Sequence, residues 1–277
     1  LQKVLFQLND LCFSYFQRTI EKQVLNFINK QVRAGEYLAL IGGNGSGKTT
    51  LAKHLNGLLL PTSGSLAVDG MDTANQNNLL AVRQTVGMVF QNPDNQIVAS
   101  VVEEDVAFGP ENLGVDAAEI KQRIVMALET VGLAGYRNFT PDFLSGGEKQ
   151  RLALAGVLAM KPKCLVLDEA TSMLDCAGRY RLLKIISNLH KETGLTVVNI
   201  THDMNEAALS DRIWVLNKGQ IILDGPPRKV FQQRELLHEC GLDLPDIPEI
   251  CRRLSISGLA VPLDLLDSED LVNYLCQ

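Results

Sequence analysis

Three short apolar runs punctuate the chain: Tyr37 to Ile41, Cys164 to Leu167 and Thr196 to Ile200. In each, apolar residues follow one another rather than alternating with polar ones, which predicts strands buried on both faces. Each stops at polar or glycine residues, and helix-like segments lie between them. This alternation predicts an α/β fold with a largely parallel sheet. In such sheets ligands sit beyond the carboxyl ends of the strands, so the residues just after each run are where chemistry is expected.

From Gln91 to Ser145 the pattern turns mostly helical. Ala117 to Val131 places Ile120, Ile124, Ala127, Leu128 and Val131 on one helical face. A helical insertion over about residues 92–144 is predicted. After Gly225-Pro226-Pro227 the composition shifts to short amphipathic pieces containing Leu236, Leu237, Ile250, Leu254, Leu271 and Leu275. The expected division is a main domain over residues 1–225 and a small C-terminal helical extension over residues 226–277.

Composition narrows the function classes. The chain has 277 residues, 46% hydrophobic and 21% charged, enough for a sizeable core. No run approaches the roughly 18 apolar residues that span a bilayer. Lys3, Asn9 and Asp10 leave no clean apolar stretch for a leader peptide. Six cysteines are scattered without a CxxC pair, so reduced thiols in a cytosolic protein are expected, not a zinc site or a disulfide framework. A net charge of −6 argues against non-specific nucleic-acid binding.

The first apolar run leads into Gly42-Gly43-Asn44-Gly45-Ser46-Gly47-Lys48-Thr49, and a helix-like segment, Thr50 to Asn56, follows. Strand, loop and helix in that order are what a phosphate-binding P-loop requires. Glycines let backbone amides converge on phosphate oxygens, and the helix N-terminus adds partial positive charge. Lys48 is placed to neutralise the β- and γ-phosphates and Thr49 to ligate Mg²⁺. The second run ends in Asp168-Glu169. Beside a P-loop, Asp168 is expected to hold Mg²⁺, and Glu169 to polarise the attacking water as general base.

Ser145-Gly146-Gly147-Glu148 precedes the apolar stretch Leu152 to Met160. Ser145 and Glu148 alone would be explained as a capping box. The two glycines would not, since glycine costs a helix interior about 1 kcal/mol. They suit a backbone that must approach an anion. A chain with its own P-loop has no need of a second phosphate site, so these residues imply the ATP of a partner chain and therefore a dimer.

Together these motifs resemble the ABC ATPase family over essentially the first 225 residues. The resemblance implies a RecA-like P-loop core with a parallel sheet, a helical subdomain insertion, and a head-to-tail dimer with ATP between P-loop and signature. It also implies roles for four further residues and for Thr50, beside the P-loop. Gln91 looks like the Q-loop residue that senses Mg²⁺ and links hydrolysis to transport. His202, in Ile200-Thr201-His202-Asp203, resembles the switch histidine of the γ-phosphate, Asp175 the D-loop aspartate crossing the dimer, and Tyr15 the aromatic that stacks on adenine.

Leu51 to Leu59, Phe90 to Gln96 and Val102 to Pro110 are similar to one subgroup, the ATPases of energy-coupling factor transporters. The resemblance implies ATP-driven import of a vitamin or similar micronutrient, with a paralogous ATPase, a transmembrane scaffold protein and a substrate-binding membrane subunit as partners. It places the chain peripherally on the cytoplasmic face of the membrane. Glu169-Ala170-Thr171-Ser172-Met173-Leu174-Asp175 is closer to the first of two ATPase paralogues than to the Pro-containing version of the second. Gly43 stands where the subgroup often has His, and Cys176 where Pro is usual. Glu103, Glu104 and Asp105 are candidate partners for basic residues of the scaffold, or a solvated charge run. The tail resembles the subgroup's extension that holds two ATPases together, with stability within one chain as the other reading. A homodimeric ATPase of a cobalt or nickel importer is the alternative. A non-transport ABC ATPase would call for a second ATPase domain or a coiled-coil insertion, and this chain carries neither.

Overall fold

A computed structural model describes residues 3–17, 20–262 and 264–276. Its centre is a six-stranded sheet with strands in the order β10-β9-β3-β8-β7-β6. These are β3 (Tyr37–Ile41), β6 (Val86–Val89), β7 (Cys164–Asp168), β8 (Thr196–Ile200), β9 (Arg212–Asn217) and β10 (Gln220–Gly225). All neighbouring pairs are parallel except β9–β10, which closes the edge antiparallel. The three apolar runs form β3, β7 and β8, and every residue of these strands is buried.

Burial on both faces follows from what each face meets. Leu38 and Leu40 share a core with Leu51, Ala52 and Leu55 of helix α1 (Lys48–Leu55) and with a second, antiparallel sheet. That sheet has the order β2-β1-β4-β5, from β1 (Val4–Gln17), β2 (Ile20–Arg33), β4 (Ser63–Val68) and β5 (Met71–Asp72). On the opposite face Tyr37, Leu165, Leu167 and Val197 meet the helical region. This region comprises α3 (Val102–Asn112), α4 (Ala117–Thr130), α5 (Gly146–Ala159) and α6 (Cys176–Thr193), with α2 (Leu79–Thr85) leading into β6. No strand interrupts residues 92–144. All five residues expected on one face of α4 are buried, and Asp116 caps the helix by accepting from the Ala118 amide at 2.9 Å.

The first part of the stretch after residue 225 does not stand apart from this core. Val230, Phe231, Leu237, Cys240 and Leu242 are buried with Ala39 and Ile41 of β3, Ile213 and Val215 of β9, and Met204 and Ala207 of α7 (Met204–Ala207). They come from α8 (Pro227–Phe231), α9 (Arg234–Glu239) and the turn that follows. The last two helices, α10 (Asp246–Ile256) and α11 (Ser268–Leu275), enclose a smaller cluster around Cys251, Val261 and Leu271.

Leu40 lies at the middle of the buried centre with 1% of its surface exposed. Leu40→Ala is expected to lower the unfolding free energy by about 2–5 kcal/mol, as for other leucines whose cavities cannot collapse. Denaturant unfolding checks this, and a loss below about 1 kcal/mol would mean that the two sheets close over the gap.

Candidate functional site

Four parallel strands end at one edge of the central sheet, and their following residues meet there. The loop after β3 runs into α1 through Gly47, whose φ of 110° is open to glycine and costly for other residues. No side chain caps α1, so its first amides face the loop unshared. Gly42 has no room for a side chain, since a Cβ would lie 2.2 Å from the Leu216 carbonyl oxygen. Lys48 Nζ donates to the carbonyls of Gly42 (2.9 Å) and Gly43 (3.1 Å), which fixes the ammonium against the loop. Burial lowers the Lys48 pKa, and the carboxylates of Glu169 and Asp168 counter that shift. Ser46 Oγ is buried with no hydrogen-bond partner among the described residues, a donor that a phosphate oxygen would satisfy.

At the end of β7, Asp168 Oδ1 accepts from Thr49 Oγ1 at 3.0 Å. Burial raises the Asp168 pKa, and this hydrogen bond offsets part of the rise. Glu169 has left β7 and adopts φ 50°, a left-handed conformation uncommon for a non-glycine residue. Its amide donates to the Ile200 carbonyl at 3.0 Å, which pins the turn to β8. Gln91, just past β6, donates from Nε2 to Glu169 Oε2 at 3.3 Å and to Ser172 Oγ at 3.2 Å. His202, just past β8, has Nδ1 3.6 Å from the same Glu169 oxygen.

The structure therefore brings Gly42, Gly43, Asn44, Glu169 and His202 to one cleft of about 680 Å³, with Lys48, Thr49, Gln91 and Asp168 linked to it by the contacts above. Such a volume suits a nucleotide. Gly45 lies at the apex of the loop with φ 74°. Tyr15, on β1, is 39% exposed, and its hydroxyl lies 3.4 Å from Thr50 Oγ1, so it stands beside the same loop. Thr49 and Asp168 are the residues that could hold a cation. Among the described residues no group of three or more His, Cys, Asp and Glu could do so. A Mg²⁺ there would draw its other ligands from phosphate oxygens and water, and this is the coordination Mg²⁺ favours.

Ser145, Gly146, Gly147 and Asp175 do not line that cleft. Ser145 caps α5 in a full capping box, its own amide donating to Glu148 Oε2 at 2.9 Å. Asp175 caps α6 by accepting from the Gly178 amide at 2.8 Å. The two glycines are another matter. A Cβ on Gly146 would meet nothing within 4 Å, and one on Gly147 would only reach Leu174 at 4.0 Å. Packing within this chain does not require glycine at either position.

The charged run at the start of α3 differs from expectation. Glu103 is paired with Arg137 through both carboxylate oxygens. Asp105 is buried and accepts from the amides of Val98 (2.8 Å) and Ala99 (3.2 Å). Only Glu104 of the three is exposed. Two further residues of the site escaped sequence reasoning. Ser172 holds Gln91, and Asn205 follows the switch loop. Ser172 lies three residues after Glu169, a spacing that could have drawn attention, whereas Asn205 carries no local signal.

The family model described as ABC transporter matches residues 25–172. The energy-coupling factor transporter ATP-binding protein EcfA1 of Clostridium perfringens is 50% identical over 270 residues, covering 97% of this chain and 96% of that protein. The cobalt import ATP-binding protein CbiO of Syntrophus aciditrophicus is 46% identical over 96% of this chain and 94% of its own length. Among solved structures, cbiO1 from Clostridium perfringens, part of the ABC transporter complex cbiONQ, superposes with a TM-score of 0.77 at 34% identity, over 91% of this chain and 100% of that one. A dimeric ATP-binding cassette in a post-hydrolysis state, bound to ADP and Pi, gives 0.73 at 28% identity over 80% and 99%.

Gly42→Ala is expected to weaken nucleotide binding at least about tenfold, because the loop cannot keep its path beside Leu216. Titration with a fluorescent ATP analogue checks this. Unchanged affinity would show that the loop holds its shape without that close approach.

Proposed function

Because this chain belongs to the ABC transporter family and, within it, to the ATP-binding subunits of energy-coupling factor transporters, we propose that Glu169 is the general base of an ATP hydrolysis that powers uptake of a vitamin or similar micronutrient. The observation that carries the reading is the convergence on one Glu169 oxygen of Gln91 and His202, beside a phosphate loop and the Thr49–Asp168 pair. Gly42 to Thr50 hold the phosphates of ATP, with Lys48 balancing the charge of the β- and γ-phosphates. Tyr15 stacks on the adenine. Thr49 and Asp168, with Gln91 at the edge, would hold a Mg²⁺, which would supply positive charge against the phosphates. Glu169 accepts a proton from the attacking water, and His202 contacts the γ-phosphate.

The second half of the active site comes from another cassette. Gly146 and Gly147, free of contacts that would demand glycine, leave the start of α5 bare for the γ-phosphate held by the partner. Asp175 reaches across the same interface while capping α6. The partner is a paralogous ATPase, with a homodimer in a cobalt or nickel importer as the alternative. The CbiO relative keeps that alternative open.

Coupling to the membrane runs through the Q-loop. Gln96 donates to the carbonyls of Met88 and Ala153 (3.4 Å each), and Gln150 donates to the Phe90 carbonyl at 2.9 Å, so the Q-loop is tied to both the sheet and α5. Beside it lies an apolar groove of about 340 Å³ lined by Leu80, Val98, Phe108, Leu113 and Met160. A helix of the transmembrane scaffold docks in this groove, and Glu104, exposed near the start of α3, is the acidic residue left for a basic one. No helix of the described residues is long and apolar enough to cross a membrane, and the chain attaches peripherally, on the cytoplasmic side. The division into residues 1–225 and 226–277 is functional on this reading, the tail stabilising the dimer through exposed Ile250, Ile256, Val272 and Leu275 of α10 and α11.

Glu169→Gln is expected to keep ATP bound and to lower turnover at least about a hundredfold, the scale of general-base catalysis. Steady-state phosphate release from the assembled complex checks this, and a normal rate would refute the assignment. Gly146→Ala should leave the unfolding free energy unchanged or raise it by up to about 1 kcal/mol, while lowering ATP turnover. Wild-type turnover in that variant would remove the composite site.

A further inference from the structure

We infer that Asp246, in the C-terminal extension, is a positioning residue for hydrolysis, acting through Asn205 on the loop that carries His202. The inference rests on the reading of Gly42 to Thr49, Glu169 and His202 as the nucleotide site. His202 is 57% exposed, and no contact of its own buries it. Its place is set by the three residues after it. Asp203 donates its amide to Thr201 Oγ1 (3.0 Å), accepts from the Asn205 amide (2.9 Å) and pairs with Arg179 of α6. Asn205 then leaves the core altogether. Its Nδ2 donates to Asp246 Oδ2, and its Oδ1 accepts from the Asp246 amide, each at 2.9 Å.

This reciprocal pair joins residues 41 apart in sequence and is more than a surface contact. Asp246 is the first residue of α10, and its amide is one of those a helix start leaves without an internal partner. Pro245, at the N-cap of α10, offers no side-chain cap, so Asn205 supplies one from the switch loop. The same segment of the extension also forms a wall of the phosphate end of the cleft. Gly241 to Leu244 line it together with Gly43, Asn44, Glu169 and His202. The Cys240 carbonyl oxygen lies 2.8 Å from where a Cβ of residue 43 would stand, so the extension leaves room there only for glycine. Leu242 and Met204 share one buried cluster.

The extension thus touches both loops that hold the terminal phosphate, one by packing and the other by two hydrogen bonds. A shift of α10 relative to the core must either break both bonds or carry Asn205, and with it the His202 loop. Asp246 is where the state of the extension is passed to the switch histidine.

The test is steady-state ATP hydrolysis by the full-length chain with the subunits that co-purify with it, at varied ATP, with kcat expressed per nucleotide-bound site. Asp246→Ala is expected to lower kcat about tenfold and to leave KM within about twofold. Asp246→Asn keeps the backbone amide and an acceptor for Asn205 Nδ2, and should stay within about twofold of the unmodified kcat. Asn205→Ala combined with Asp246→Ala should be no worse than the poorer single variant. An unchanged kcat in Asp246→Ala, or a loss in Asp246→Asn as deep as in Asp246→Ala, overturns the inference. Absence of hydrolysis in the unmodified chain would instead overturn the nucleotide-site reading beneath it.

Discussion

The parallel register of β3, β8, β7 and β6 is the constraint from which the site follows. Parallel strands deliver their carboxyl ends to one edge, so residues 42, 91, 168 and 202 meet although they span most of the core sequence. Two backbone hydrogen bonds hold that edge in line. The Thr201 amide donates to the Leu40 carbonyl (3.3 Å) and the Glu169 amide to the Ile200 carbonyl (3.0 Å). Both sit at the point where strand gives way to loop, and they fix the spacing between phosphate loop, carboxylates and histidine. Burial of the sheet between an antiparallel sheet on one face and helices on the other keeps this edge stiff. Catalytic groups placed by such a frame need little reorganisation when substrate arrives.

The same frame leaves the phosphate end of the cleft open on one side. Local capping accounts for Ser145 and Glu148, and no contact among the described residues accounts for Gly146 and Gly147. On the proposed reading this asymmetry is the origin of coupling: ATP completes its shell only when two cassettes close, and the closing motion reaches the membrane through elements bonded to the Q-loop. Lys149 pairs with Asp94 at 2.7 Å, and Gln150 donates to the Phe90 carbonyl, so α5 and the Q-loop are tied together at two points. On the proposed reading these two contacts link the signature to the groove that receives the membrane partner.

Much of this was legible in the sequence because the relevant signals are local. The unbroken apolar runs of β3, β7 and β8 need no partner to be recognised, and the periodic face of α4 likewise marks its own buried side. The antiparallel sheet carries no such local signal. β1 and β2 are 14 residues each, but shifts of register near Leu8, Leu11 and Phe13 break their alternation. Asp10 and Phe27 take left-handed conformations there, Asp10 held by Asn29 at 2.7 Å. The acidic run at 103–105 is opaque for a related reason, because its partners Arg137 and the amides of Val98 and Ala99 are fixed only by the fold. Asn205 and Asp246 lay beyond reach too, as nothing local ties positions 41 apart.

The most direct test of the whole account is to purify the tagged chain from native membranes in mild detergent and identify what comes with it. The account requires a second ATP-binding cassette together with polytopic membrane proteins, the smallest of which would point to the substrate. Recovery of the chain alone, or only with copies of itself and no membrane protein, would leave the hydrolytic site standing and contradict its role in driving transport.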